Sequence, residues 1–310
     1  MMRKIDFSIV MPVLNEERRI KRALDSIAQQ EGVRFEVIVV DNGCTDNTTK
    51  IALQYPFVEV IRYLGSLGGA FQAGLMRAQG RYTIFLAADE LLPQGSLNKI
   101  KRAFSRLNDC QAIIARLIPL SDSSSIWGRY VKAYFHGDTL QSSIWKGLTF
   151  HSGGLVIKTG IAKKVKFDPK MPISEDGDFS YRFLKLGYRA YYLRNYVIID
   201  EAYSDFKSFY SYYRKLGIAG LILFKKYPSL EMLEYYLRTF TEPLTPHYLV
   251  IRYRKIKRYF ESFKLWFLVG ILKTKFVLLS WITYGVLGKK IPSRVTRLRH
   301  ASMTHLDEKA

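Results

Sequence analysis

A chain of 310 residues with this pattern predicts an α/β fold built on a largely parallel sheet. Three observations lead there. Short apolar runs alternate with stretches of helical periodicity through the first half of the chain. Those helical stretches are long enough to carry the chain back and start the next strand in parallel. The apolar runs end in acidic or amide residues, at Asn15-Glu16, Asp41-Asn42 and Asp89-Glu90. Ligands of such sheets bind beyond the carboxyl ends of the strands, so these groups converge where a ligand is expected.

The elements follow in order. Residues 7–13 read as a buried strand. Residues 17–30 place Ile20, Leu24 and Ile27 on one helical face, with Arg and Lys opposite. A second strand over 35–40 stops at Asp41-Asn42-Gly43, and Thr45 or Asp46 can cap the helix that runs to about Gln54. Residues 58–63 form a third strand, 68–78 a Gly-rich helical entry and 82–86 a fourth strand. Leu97, Ile100, Phe104 and Leu107 mark the next amphipathic helix. Residues 121–145 are irregular, strand character returns over 149–158, and a helix spans 175–186. Past about Tyr203 the composition turns to Tyr, Lys, Leu and Phe. The chain therefore divides into a domain of residues 1–205 and a basic, aromatic-rich helical region of 206–310.

The net charge of +21 favours anionic partners: nucleic acid, acidic lipid headgroups or phosphorylated substrates. No recognisable nucleic-acid module accompanies it, so no nucleic-acid partner is expected. Cys44 and Cys110 supply neither a disulfide framework nor a zinc pattern. Near the N-terminus Asp6 interrupts before the apolar run, and Asn15, Glu16 and Glu17 follow it. That is a strand and not a signal peptide, which points to the cytosol. Gly65, Gly68, Gly69 and Gly74 do not make a dinucleotide fingerprint, which excludes a dehydrogenase.

The string from Ser8 through Pro12-Val-Leu-Asn-Glu16, followed by Val37-Ile-Val-Val-Asp-Asn-Gly-Cys-Thr-Asp46, resembles the opening of glycosyltransferase family 2. The resemblance continues in order through Gly68-Gly-Ala-Phe-Gln-Ala-Gly74, residues 78–86, Ser174-Glu-Asp-Gly-Asp178 and Leu186-Gly-Tyr188. It implies a GT-A fold, Rossmann-like and mostly parallel, that moves a sugar from a nucleoside diphosphate to an acceptor, usually with inversion. It also implies that Pro12, Val13 and Glu16 line the nucleoside pocket, that Asp41 accepts hydrogen bonds from the base, and that Ala88 and Asp89 meet the sugar diphosphate. A strand-end carboxylate suits that base contact, because it offers fixed acceptors to N–H donors. The plainer reading is that Asp41 only opens its turn.

Two departures concern a metal. The family ends its fourth strand in Asp-x-Asp, but here Ala87 takes the first position, leaving Asp89 as the metal-binding carboxylate. Many relatives also carry a His-Asp-Glu string where this chain has Ile199-Asp200-Glu201. One carboxylate, diphosphate oxygens and waters can still hold magnesium or manganese, with weakened affinity. Glu175-Asp176 resembles the family's catalytic pair, whose Asp is the base. An inverting transfer to a hydroxyl needs such a carboxylate. The alternative is helix capping by Ser174, Asp176 or Asp178. A phosphate acceptor, already ionised, would need no base. His136 and His151 are left out of the site.

In the last third, residues 252–260 are a basic-aromatic run, and 265–287 are apolar except around Lys273 and Lys275. A single transmembrane helix would carry both lysines near the bilayer centre, at about 2.5–3.5 kcal/mol each. Two short helices in the interface of an anionic membrane are expected instead; the alternative is a soluble helical appendage. The expected protein is thus a peripheral enzyme of the cytoplasmic membrane face, using a nucleoside-diphosphate sugar and a glycan or lipid-linked acceptor. Its rivals are a polyprenyl-phosphate glycosyltransferase and a sugar-nucleotide-binding scaffold that has lost catalysis.

Overall fold

The computed structural model describes residues 4–120, 124–130, 143–200, 205–241 and 263–289. They fall into two compact units. The first holds the described residues up to Leu117 and those from Ser143 to Asp200. The second holds those of 118–130 and those from Asp205 on.

In the first unit, β1 (Phe7–Val13), β2 (Phe35–Asp41), β3 (Val58–Arg62) and β4 (Tyr82–Phe85) form a parallel block in the order β3-β2-β1-β4. The crossovers are α1 (Ile20–Ala28), α2 (Thr48–Ala52) and α3 (Leu67–Arg77). Alternate residues explain why both faces are covered. Phe7, Ile9, Met11 and Val13 bury on one side with Ile20, Leu24 and Ile27, whereas Val10, Ile38 and Val40 bury on the other with Phe71 and Leu75. Such two-sided burial is what a continuous apolar strand requires. Helix α3 lies close because Gly74 has no side chain: a Cβ there would overlap Val10 and stand 3.0 Å from Cγ2 of Val40.

Beyond β4 the sheet changes sense. The elements that follow are β5 (Glu90–Leu91), α4 (Ser96–Arg106), β6 (Ala112–Pro119), β7 (Ser143–Ile144), β8 (Leu155–Lys158), α5 (Thr159–Val165), α6 (Glu175–Lys185) and β9 (Ala190–Asp200). Strand β8 pairs antiparallel with β4 and β6, and β9 pairs antiparallel with β5 and β7. The described sheet has nine strands and is mixed: the expected parallel order holds across the first four, and antiparallel strands extend it. Where strand character was expected over 149–158, only Leu155–Lys158 is a strand, because residues 151–154 turn at Gly153-Gly154.

The second unit contains α7 (Phe206–Lys226), α8 (Leu230–Thr241) and α9 (Phe263–Trp281), which continues as a π-helical turn over Ile282–Val286. Asp205 caps α7 by accepting the Ser208 N–H at 2.9 Å. A close crossing joins α7 to α9, since a Cβ on Gly217 would stand 2.7 Å from the Val277 carbonyl oxygen. The expected break at Lys273 and Lys275 does not occur, and one helix runs through both. The reason is packing: buried Lys273 lies over the Tyr213 ring, 5.4 Å from its centroid, so its charge is accommodated within the helix pair. The basic run at 252–260 and His136 lie outside the described residues.

Candidate functional site

The parallel strand tips carry most of the expected residues. Pro12 and Val13 are the last residues of β1, and Val13 is in register with Asp41 at the end of β2. Asn15 adopts a left-handed backbone (φ 57°), which its short polar side chain tolerates. Its Oδ1 accepts the Thr45 N–H at 2.8 Å, tying the two strand-end loops together. Asp46 completes that tie by accepting N–H groups of Glu17 (3.1 Å) and Thr48 (3.0 Å); the N-cap position itself is Asn47, one residue beyond the expected Thr45 or Asp46, and its side chain makes no cap bond.

Asp41 is half-buried. Its Oδ1 accepts the N–H groups of Gly43 (2.9 Å) and Cys44 (2.7 Å), so it does open the turn; Oδ2 lies outside those two bonds. Glu16 is buried, its N–H donates to Thr48 Oγ1 at 2.7 Å, and its Oε2 meets Arg19 Nη1 at 3.3 Å. Burial pushes the Glu16 carboxyl up to about 7, and the nearby charge of Asp89 pushes the same way. Glu16 and Asp89 are therefore electrostatic neighbours, one beyond β1 and the other beyond β4.

The turn after β4 is held from within. Buried Glu90 accepts the Ala87 N–H through Oε2 at 2.9 Å, and its backbone pairs with Asp200 of β9. Ala88 is buried within this turn, and Asp89 is half-exposed on it. The other Glu90 oxygen lies against Gly153, where a Cβ would overlap it. The residue before that glycine, Ser152, donates its backbone N–H to Asp176. A short chain of contacts thus links the Asp89 turn to the start of α6.

Three acids open α6, and the structure separates them. Asp178 is fully buried and gripped by Arg182 through Nη2 (2.6 Å) and Nε (3.0 Å), while Arg182 also donates to the Val165 and Lys166 carbonyls. Glu175 is buried beside Gly68 of α3, and burial, then the charge of Asp176, raises its carboxyl to about 8. Asp176 is half-buried, with Oδ1 accepting the Gly177 N–H at 2.7 Å. Burial raises its pKa too, against the lowering effect of the Gly177 and Ser152 N–H groups. Ser174 enters the helix at φ 64° without a side-chain cap bond, so the capping alternative does not apply to it. One turn into the helix, Phe179 stacks on Phe167 at 4.4 Å, and Phe167 meets Phe71 and Phe85. That aromatic cluster fixes the helix start relative to the sheet.

The structure thus brings Glu16, Asp89, Glu175 and Asp176 to one edge, with Pro12, Val13 and Asp41 on the neighbouring strand tips. Sequence reading missed Glu90 and the Ser152-Gly153 turn as the connection; the adjacent glycines at 153 and 154 were the available signal. His151 stays outside the chemistry: burial lowers its pKa to about 4, and Nδ1 faces the Gly153 carbonyl at 3.1 Å. Among the described residues no group of three His, Cys, Asp or Glu side chains could hold a metal ion.

The family model for glycosyl transferase family 2 matches residues 8–165. An uncharacterised glycosyltransferase of Rickettsia typhi is 27% identical over 207 residues, 64% of each chain. The dolichyl-phosphate beta-glucosyltransferase of Saccharomyces cerevisiae is 29% identical over 119 residues, 34% of this chain and 36% of that one. The chain thus matches less than two thirds of the length of either relative. Among solved structures, a mannosyltransferase of Pyrobaculum calidifontis, in complex with GDP-Man and Mn2+, aligns with a TM-score of 0.63 at 15% identity, covering 93% of this chain and 89% of that one. That likeness shows the fold to be that of GT-A glycosyltransferases. The family model spans half of this sequence, including the tips of all four parallel strands, and on that ground the chain belongs to glycosyl transferase family 2.

Proposed function

We propose that this protein transfers a sugar from a nucleoside diphosphate to a hydroxyl acceptor, with inversion. The acceptor is a lipid-linked or membrane-associated glycan, reached from the cytoplasmic face of a membrane. The observation that carries the reading is the contact chain Asp89–Glu90–Gly153–Ser152–Asp176, which links the turn of the proposed donor-side carboxylate to the proposed acceptor-side one. Neighbouring strands lie about 4.8 Å apart, so the tips of β2 and β4 stand roughly 10 Å from each other. That spacing suits a ligand with a base at Asp41 and Pro12-Val13 and a diphosphate at Ala88-Asp89.

In the reaction the acceptor oxygen forms a bond to the anomeric carbon as the bond to the diphosphate oxygen breaks. The electron pair leaves with the nucleoside diphosphate, and the acceptor proton passes to the Asp176 carboxylate. Burial makes Asp176 a stronger base than an ordinary aspartate, and the Gly177 and Ser152 N–H groups orient it. The half-exposed Asp89 would be the protein's carboxylate to a magnesium or manganese ion completed by donor oxygens and water. Such an ion, when bound, would neutralise charge on the departing diphosphate.

Asp176→Asn tests the reading. Glycan extension on a hydroxyl acceptor should fall at least 10³-fold, with donor affinity, read by a thermal shift, held within about threefold. Retention of most activity would refute the base and favour the rival acceptor, a polyprenyl phosphate, whose oxygen needs none. Nucleotide binding without turnover in the unsubstituted protein, with or without manganese, would favour a scaffold.

A further inference from the structure

We propose that the exposed face of α9 is the surface by which this protein lies on an anionic bilayer, with the helix in the plane of the interface. The inference deepens the membrane-acceptor reading, but its test does not depend on catalysis.

The sequence of α9 is apolar around its whole circumference, interrupted by few charges, and Phe267–Val286 is long and apolar enough to cross a membrane by composition. A helix of that kind needs cover on every side. Among the described residues, one side has it. Val269, Phe276, Val277 and Ser280 are buried, and Phe276 meets Phe209 and Tyr210 of α7. Ser280 Oγ donates to the Arg214 carbonyl at 3.1 Å, on the side where Lys273 is buried over Tyr213. The other side presents Leu268, Ile271, Leu278, Leu279 and Ile282, between 38% and 55% exposed, at spacings of three or seven residues apart from the adjacent pair 278–279. Such spacing places them in one stripe. Lys275 is exposed in the middle of it, and a shallow apolar depression of about 320 Å³ is lined by Ile271, Lys275, Leu278 and Ile282.

Charge selects the occupant. Residues 206–310 contain 20 Lys and Arg against 6 Asp and Glu, whereas residues 1–205 contain 28 against 21. The charge surplus is therefore concentrated in the part of the chain that carries the apolar stripe. A second copy of the same region would set like charges against each other. An anionic lipid surface accepts both features, apolar side chains below the headgroups and lysines among them. Lys275 can reach the headgroup level from within the stripe by extending its stem. A spanning arrangement is disfavoured because α9 cannot leave α7 without exposing Lys273.

The test is flotation of the full chain with vesicles of phosphatidylcholine alone or with 30% phosphatidylglycerol. The unsubstituted protein should float with the anionic vesicles and only weakly with the neutral ones. The double variant Leu278→Glu, Leu279→Glu should lose at least tenfold in vesicle affinity, with an unchanged circular dichroism spectrum. Lys275→Glu, which leaves the apolar stripe in place, should lose affinity for the anionic vesicles alone. Unchanged binding by the double variant would overturn the proposal, as would a dimer in light scattering that the double variant splits and that ignores vesicles. Donor turnover in solution, measured in parallel, keeps a failure of this surface distinct from a failure of the catalytic reading.

Discussion

Gly68→Ala probes the link between α3 and the start of α6. A Cβ at residue 68 would stand 2.8 Å from the Asp168 carbonyl oxygen and 3.1 Å from the Glu175 Cβ. Comfortable carbon contacts begin near 3.5 Å, so about half an ångström of movement is needed. The carbonyl is backbone, and Glu175 is fixed by its own helix, so the movement passes into residues 168–176. Two terms then oppose each other in stability. Replacing a helical glycine gains up to about 1 kcal/mol, while overpacking costs about 1–3 kcal/mol. The net expectation is a loss of about 0–2 kcal/mol, read as a fall in the denaturation midpoint. The effect on turnover should be the larger one. A displacement of 1 Å in a catalytic group can cost about 10²-fold, so half of that should lower kcat roughly 5- to 20-fold. Gly160→Ala in α5 is the control, because a Cβ there meets nothing within 4 Å; it should keep full activity and gain slight stability. Initial rates at saturating donor decide the matter. Full kcat in Gly68→Ala, with stability rising as in the control, would refute the reasoning that this contact positions Glu175 and Asp176.

Two further outcomes follow from the acids of α6. Asp178→Asn breaks a buried ion pair from one side, so the protein should lose about 3–5 kcal/mol in urea titration, while kcat of the folded fraction stays within about threefold. Full stability with abolished turnover would instead make Asp178 the base. Glu175 has a folded pKa of about 8, above its unfolded value, so its contribution to stability is complete below about pH 4.5 and disappears as pH rises through 8. Glu175→Gln should therefore match the unsubstituted protein in melting temperature at pH 5 and exceed it at pH 8.5. Equal pH dependence in the two proteins would show that Glu175 ionises normally.

The parallel half of the sheet was legible because its strands are buried on both faces and read as unbroken apolar runs ending in turn residues. Phe7–Val13 came out with its observed limits. The antiparallel half was harder. Strand β6 runs Ala112–Pro119 with Arg116 inside it, and β5 has only two residues, so neither offers a clean run. The helical reading of 265–287 erred at the lysines because the rescue of Lys273 by Tyr213 comes from a helix some sixty residues earlier. No local pattern contains that information. The site shows the same division. The acids at strand tips were visible by position, but their connection through Glu90 and Gly153 depends on a fold-back of more than sixty residues.

Burial sorts acids that look alike in sequence. Asp178 and Glu90 are buried and held by partners in the protein, so they support neighbouring backbone. Asp41, Asp89 and Asp176 are half-exposed, and for Asp41 and Asp176 the turn or helix start fixes the carboxylate while leaving it accessible. On this view the turn role of Asp41 does not compete with a ligand role, since a carboxylate already oriented by two N–H groups loses less freedom on binding. Glu175 completes the logic. Buried beside Asp176 and pushed up to about 8, first by burial and then by the Asp176 charge, it holds a proton near neutrality. Burial raises the neighbouring Asp176 as well, against the lowering effect of the Gly177 and Ser152 N–H groups.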